Sequence, residues 1–89
     1  MVLIVVEEGI KQQGINNLKI LEKLNVSNNN NINNVNHLAN TLIELNCGYN
    51  SGIDQFNFEN LTLLKKLNAS RNNKINSVNH LSNTLVTLI

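Results

Sequence analysis

Apolar residues recur along the chain in one pattern. Leu21, Leu24 and Val26 are followed by Leu42, Leu45 and Cys47, then by Leu64, Leu67 and Ala69, then by Leu85 and Leu88. The first leucines of these groups stand 21, 22 and 21 residues apart. Three positions after each small apolar residue comes an asparagine (Asn29, Asn50, Asn72), and three further on an isoleucine (Ile32, Ile53, Ile75). Leu45 and Cys47 alternate with Glu44, Asn46 and Gly48, a period of two that predicts a short strand with one buried face. The asparagine sits where the chain must leave the strand. Buried there, its amide can bond backbone groups that the turn leaves unpaired, and Asn tolerates turn geometry. Stacked units would place Asn29, Asn50 and Asn72 in a column. Val35, Leu38, Phe56, Phe58 and Leu61 are expected to carry the chain back across the far side of each coil. Asn is a poor helix former, so a turn or two of helix is the most expected there, near Glu59 to Leu63.

A longer period lies over the short one. Aligned without a gap at an offset of 43, residues 21–46 and 64–89 are identical at 17 of 26 positions. Chance in a chain this rich in Asn and Leu would give roughly three, so the match marks a repeat array. At the same offset Gly9 and Ile10 match Gly52 and Ile53, Gln12 matches Gln55, Asn17 matches Asn60 and Leu18 matches Leu61. The chain therefore divides into a degenerate repeat (1–20), three full repeats (21–41, 42–63, 64–84) and the start of a truncated one (85–89). In the degenerate repeat Val2 to Val6 is the expected strand. Val2 and Ile4 take the inward places of Leu45 and Cys47, and Glu7 falls in the asparagine position. Reading the start as a signal peptide is disfavoured. It has no basic residue, and its apolar run ends at Glu7 and Glu8.

Each unit reads L-x-x-L-x-[VCA]-x-x-N-x-x-I. This resembles the leucine-rich repeat family, whose consensus is L-x-x-L-x-L-x-x-N/C-x-L. The resemblance covers about Leu21 to Ile89 and departs from the consensus twice. One extra residue separates the Asn from the next apolar site, and the third apolar site shrinks to Val26, Cys47 and Ala69. The implied fold is an α/β, right-handed leucine-rich repeat solenoid. It would carry a short parallel sheet on its concave face and mostly irregular or 3₁₀ segments on its convex side. Such arrays serve mainly as recognition scaffolds.

Composition narrows this picture. The chain has 89 residues, enough for one small domain, and is 42% hydrophobic but only 3% aromatic, so its core must be aliphatic. Asn accounts for 21 of 89 residues, which by itself would suggest a low-complexity tract. Ile32, Val35 and Leu38 interrupt the richest stretch at repeat-compatible positions, and an ordered array is the stronger reading. No run is long enough to span a membrane. With no signal peptide either, a cytoplasmic location is expected.

The residues that carry chemistry offer little. His37 and His80 stand at equivalent positions two units apart, or about 10 Å at strand spacing. Two ligands of one zinc each lie within about 2.1 Å of it, so the pair cannot share a metal unaided. No acid flanks either histidine, as a catalytic base would need. Cys47, the single cysteine, occupies an inward strand position and reads as core. The four glycines form no phosphate-binding motif, and Gly9, Gly48 and Gly52 are read as easing turns beside the strands. A net charge of +1 gives nucleic-acid binding little support. Three N-x-S/T triplets (at Asn25, Asn60 and Asn68) are read as chance products of an Asn-rich chain. No enzyme activity, cofactor, metal, nucleic acid or membrane is expected.

What remains is a surface. The candidate partner-binding residues, on outward strand positions, are Glu22, Lys23, Asn25, Glu44, Asn46, Tyr49, Lys65, Lys66, Asn68 and Arg71. Tyr49 beside Arg71 is the expected anchor, since aromatic and Arg side chains are over-represented among interface hot spots. Asn25, Asn46 and Asn68 share one position, where their amides could bond to one another as a ladder. The expected function is a protein-interaction module with a protein partner. The alternative is an uncapped fragment of a longer protein, such as the substrate-recognition array of a ubiquitin ligase or receptor. Both ends are apolar, so end-to-end self-association is a further expectation.

Overall fold

The computed structural model describes residues 9–89 and the backbone of Leu3–Val5. Among these residues, five short strands form one parallel sheet in chain order: β1 (Leu3–Val5), β2 (Lys23–Asn25), β3 (Glu44–Asn46), β4 (Lys66–Asn68) and β5 (Thr87–Leu88). Parallel neighbours require a crossover. Here the chain returns through single 3₁₀ turns at Gln12–Gly14, Asn36–Leu38 and Asn79–Leu81, and through one turn of helix, α1 (Gln55–Phe58). The molecule is thus a small α/β domain with a parallel sheet and little helix.

The strand register follows the leucine pattern. Ile4, Leu24, Leu45, Leu67 and Leu88 lie on one rung. Leu24, Leu45 and Leu67 are 2%, 3% and 1% exposed and form a single inner row. Burying each such side chain stabilises the fold by about 1.5–3 kcal/mol. Leu88, on the edge strand β5, ends the row 55% exposed. At the other edge the sequence expectation is corrected. Ile4 pairs with Leu24, not with Val26, so the first strand sits two residues off the place assigned to it. The expectations for Val2 and Glu7 fall outside the described residues.

The rest of the core comes from the return segments. Leu21, Leu42 and Leu64 enter it before each strand, and Ile32, Val35, Leu38, Ile53, Phe58, Leu61 and Leu81 fill its far side. Phe56 does not join them: it is 78% exposed. Its place in α1 explains this, since Phe58, two residues on, takes the buried side of the single turn. The helix also lies earlier than the expected 59–63. Asp54 caps it, its Oδ1 accepting from the Asn57 N–H at 2.9 Å, and a single capped turn can form here despite weak helix formers.

Two glutamines tie successive coils together. Gln12 Oε1 accepts from the N–H groups of Asn33 and Asn34, while its Nε2 donates to the Asn34 carbonyl. Gln55, 43 residues later, does the same to Asn76, Ser77 and the Ser77 carbonyl. The identity of Gln12 and Gln55 at the duplication offset therefore has a structural meaning. One side chain satisfies backbone groups of the following return segment.

Candidate functional site

Alternation along the strands puts two rows of polar side chains on the sheet face opposite the leucines. The first row is Lys23, Glu44 and Lys66, in register across β2, β3 and β4. Glu44 accepts from both neighbours, with Lys23 Nζ 3.4 Å from Oε2 and Lys66 Nζ 3.3 Å from Oε1. Desolvation pushes the Glu44 carboxyl up, but the hydrogen bonds and charges of Lys66 and Lys23 outweigh it, and the group ionises below the ordinary carboxylate range. The second row is Asn25, Asn46 and Asn68, also in register. Together the rows line a groove of about 250 Å³ that runs on to Thr87 and Ile89.

The asparagine row is not a ladder of side chains bonded to one another. Each amide oxygen turns back onto its own strand exit. Asn25 Oδ1 accepts from the Ser27 N–H at 3.0 Å and its hydroxyl at 2.7 Å, and Asn68 Oδ1 accepts from Ser70 in the same way at the same distances. Asn46 Oδ1 accepts from the Gly48 N–H at 3.1 Å. Strand exits leave these N–H groups without ladder partners, and an Asx turn supplies the nearest acceptor. Two of the three N-x-S/T triplets, at Asn25 and Asn68, are these turns. The sequence carried the signal, and its meaning is local capping.

No family model, curated protein or solved structure matches this chain. The site's reading rests on its own geometry.

That geometry divides the candidate residues. Lys23, Asn25, Glu44, Asn46, Lys66 and Asn68 come together along the groove, joined by Thr87 and Ile89. Glu22 and Lys65 do not line it. They precede the strands, where the Glu22 carbonyl accepts from both Ile43 and Glu44, and the Lys65 carbonyl from both Val86 and Thr87. This double acceptance interrupts the regular ladder just before the strands. Tyr49 and Arg71 also leave the sheet. With Asn28 they adopt left-handed backbone (φ 55°, 57° and 61°) one step past the strand exits, and none of the three lines the groove. Tyr49 and Arg71 therefore stand beyond the strand ends and off the groove.

The asparagine column is likewise corrected at its middle member. Asn29 and Asn72 are buried, and each binds its own turn and the preceding coil. Asn29 Nδ2 donates to the Ile10 carbonyl at 2.9 Å. Asn72 Nδ2 donates to the carbonyls of Cys47 (2.8 Å) and Ile53 (3.0 Å), while Oδ1 of each accepts from the N–H two residues on. Asn50 is exposed, and Ser51, 1% exposed, takes the inner place with its hydroxyl accepting from Ile53. Gly52 follows directly. A Cβ there would stand 2.6 Å from the Ile32 carbonyl and 2.8 Å from that of Asn30, so this turn presses against the coil before it. No glycine has positive φ, so Gly52 serves close approach, not turn freedom.

The two histidines and Cys47 lie off the groove. His37 Nε2 lies 3.0 Å from the Ile15 carbonyl, and His80 meets the Phe58 ring edge-on at 4.7 Å. Cys47 is buried, and desolvation pushes its thiol up to about 12 against the opposing effect of Asn72. Among the described residues no group of three or more His, Cys, Asp or Glu is placed to hold a metal ion. None of their helices is long and apolar enough to cross a membrane.

Proposed function

We propose that this chain is a leucine-rich repeat solenoid acting as a protein-recognition module, with the open sheet face as its concave binding surface. The observation that carries the reading is the pair of in-register rows, Lys23–Glu44–Lys66 and Asn25–Asn46–Asn68, along one groove. Polar side chains held in fixed rows by a rigid sheet suit recognition, because little of their freedom is left to lose on binding. Strand spacings of 20, 21, 22 and 21 residues, with one leucine row beneath them, support the repeat assignment. The reading assigns no reaction to the chain. Glu44 is engaged by two lysines and Cys47 is enclosed, so neither is poised as a base or nucleophile. A reduced, buried single cysteine accords with a cytoplasmic location.

A displayed random-peptide selection on residues 1–89 tests this, with the Lys23→Ala/Lys66→Ala double variant as counter-target. Both lysines are solvent-facing, so the double variant keeps the fold. Peptides retained by the parent and lost by the variant are expected. Equal enrichment on both proteins would remove the sheet face as the binding surface.

A further inference from the structure

The hydrogen-bonding character of the groove leans toward donors, and this points to a ligand class. Backbone N–H groups can only donate. The Ser27, Gly48 and Ser70 N–H groups therefore fix the Oδ1 atoms of Asn25, Asn46 and Asn68 at the strand exits. Each amide keeps its Nδ2 hydrogens as donors. In the other row both Glu44 oxygens are taken by lysines, which have further protons to give. Both rows thus commit acceptors within the protein and keep donors, the amide Nδ2 hydrogens and the lysine ammoniums, beside the remaining lone pairs of Glu44 and the Thr87 hydroxyl.

We propose that the groove binds a short, extended, acidic polypeptide segment. Its carboxylates would take Lys23 and Lys66, and its backbone carbonyls the asparagine Nδ2 groups. From β2 to β5 the groove crosses three strand spacings, roughly 14 Å, which an extended chain covers in about four residues. At the β5 end Ile89 is 65% exposed and lines the groove, so an apolar residue flanking the acids completes the fit. Two lysines held against one glutamate make a short positive rung and not the run of cations that tracks a phosphate backbone. Glu44 is the internal competitor, occupying the lysines that the ligand needs. The proposal rests on the sheet face being a recognition surface and adds the chemistry of what it recognises.

Fluorescence anisotropy with an alternating Glu-Ser peptide ending in Leu tests it, beside Gln-Ser and Lys-Ser peptides and oligothymidylate. The parent should bind the acidic peptide in preference to the others. Glu44→Gln frees both lysines and should tighten binding at least about fivefold. Asn46→Asp keeps the oxygen that caps Gly48 but replaces the amide donor with a negative acceptor, and should weaken binding about tenfold or more. Asn50→Asp adds the same charge off the groove and should leave affinity unchanged. Equal effects of Asn46→Asp and Asn50→Asp would reduce the result to net charge and overturn the donor row. If a neutral or basic peptide, or the oligothymidylate, binds more tightly with sensitivity to Asn46→Asp, the acidic ligand is overturned while the face stays a binding surface. If no probe responds to any groove substitution, both the ligand and the surface fall.

Discussion

Asn50 faces solvent while Ser51, its neighbour, occupies the buried place that Asn29 and Asn72 hold in the adjoining coils. Three asparagines at the same repeat position therefore carry different weights. Asn72 makes two bonds to buried backbone carbonyls and accepts one from Lys74. Asn72→Ala strands the Cys47 and Ile53 carbonyls without this donor and should cost about 2–3 kcal/mol. Asn50→Ala should lie within about 0.5 kcal/mol of the parent. Urea denaturation of the two variants checks this. Equal losses would mean that Asn50 is buried after all.

The sequence reading reached the sheet because its signal is redundant. Leu24, Leu45 and Leu67 repeat the same chemistry at nearly the same spacing, and each strand reinforces the next. The Asn50 position lacked such support. Nothing in the pattern distinguishes it from Asn29 and Asn72, and the contact at that turn is between Gly52 and backbone oxygens of another coil. Tyr49 and Arg71 lie off the groove for a related reason. Alternation was carried past Asn46 and Asn68, where left-handed residues end it. The groove's donor excess depends on which way three amides point, and that is fixed by turns a residue string does not display.

Gly52 and Gly9 match at the duplication offset but meet different surroundings. A Cβ on Gly52 runs into the Ile32 and Asn30 carbonyls, which are backbone and cannot swing away. A Cβ on Gly9 meets no described atom within 4 Å. Gly52→Ala is expected to destabilise by about 1–3 kcal/mol through overpacking. Gly9→Ala should be neutral or stabilise by up to about 1 kcal/mol by restricting the unfolded chain. Thermal unfolding of the two proteins decides it, and a Gly52→Ala protein as stable as the parent would contradict the close approach.

Left-handed backbone suits Asn far better than Tyr or Arg, and Asn28 already stands in that conformation one coil earlier. Both Tyr49 and Arg71 are exposed, so little packing is lost on replacement. Tyr49→Asn and Arg71→Asn should each raise stability by about 0.5–1 kcal/mol. A fall in the denaturation midpoint for either would show that the side chain contributes more than its backbone strain removes.

Cys47 gives a pH dependence with a definite sign. Burial pushes its thiol up to about 12, whereas an unfolded cysteine ionises near about 8.5. The folded state therefore holds its proton through a range in which the unfolded state releases it. This group's contribution to stability is fully present below about pH 8.5 and declines as the pH rises toward 12. The denaturation midpoint of the parent should thus fall between pH 8.5 and 10.5 more steeply than that of Cys47→Ala, which has no thiol to ionise. Labelling with iodoacetamide at pH 8 provides an independent readout. The enclosed thiol should react only as fast as the protein opens, with urea accelerating it in step with unfolding. Parallel pH profiles for the two proteins, or full labelling under native conditions at the rate of a free thiol, would show that Cys47 is reached by solvent.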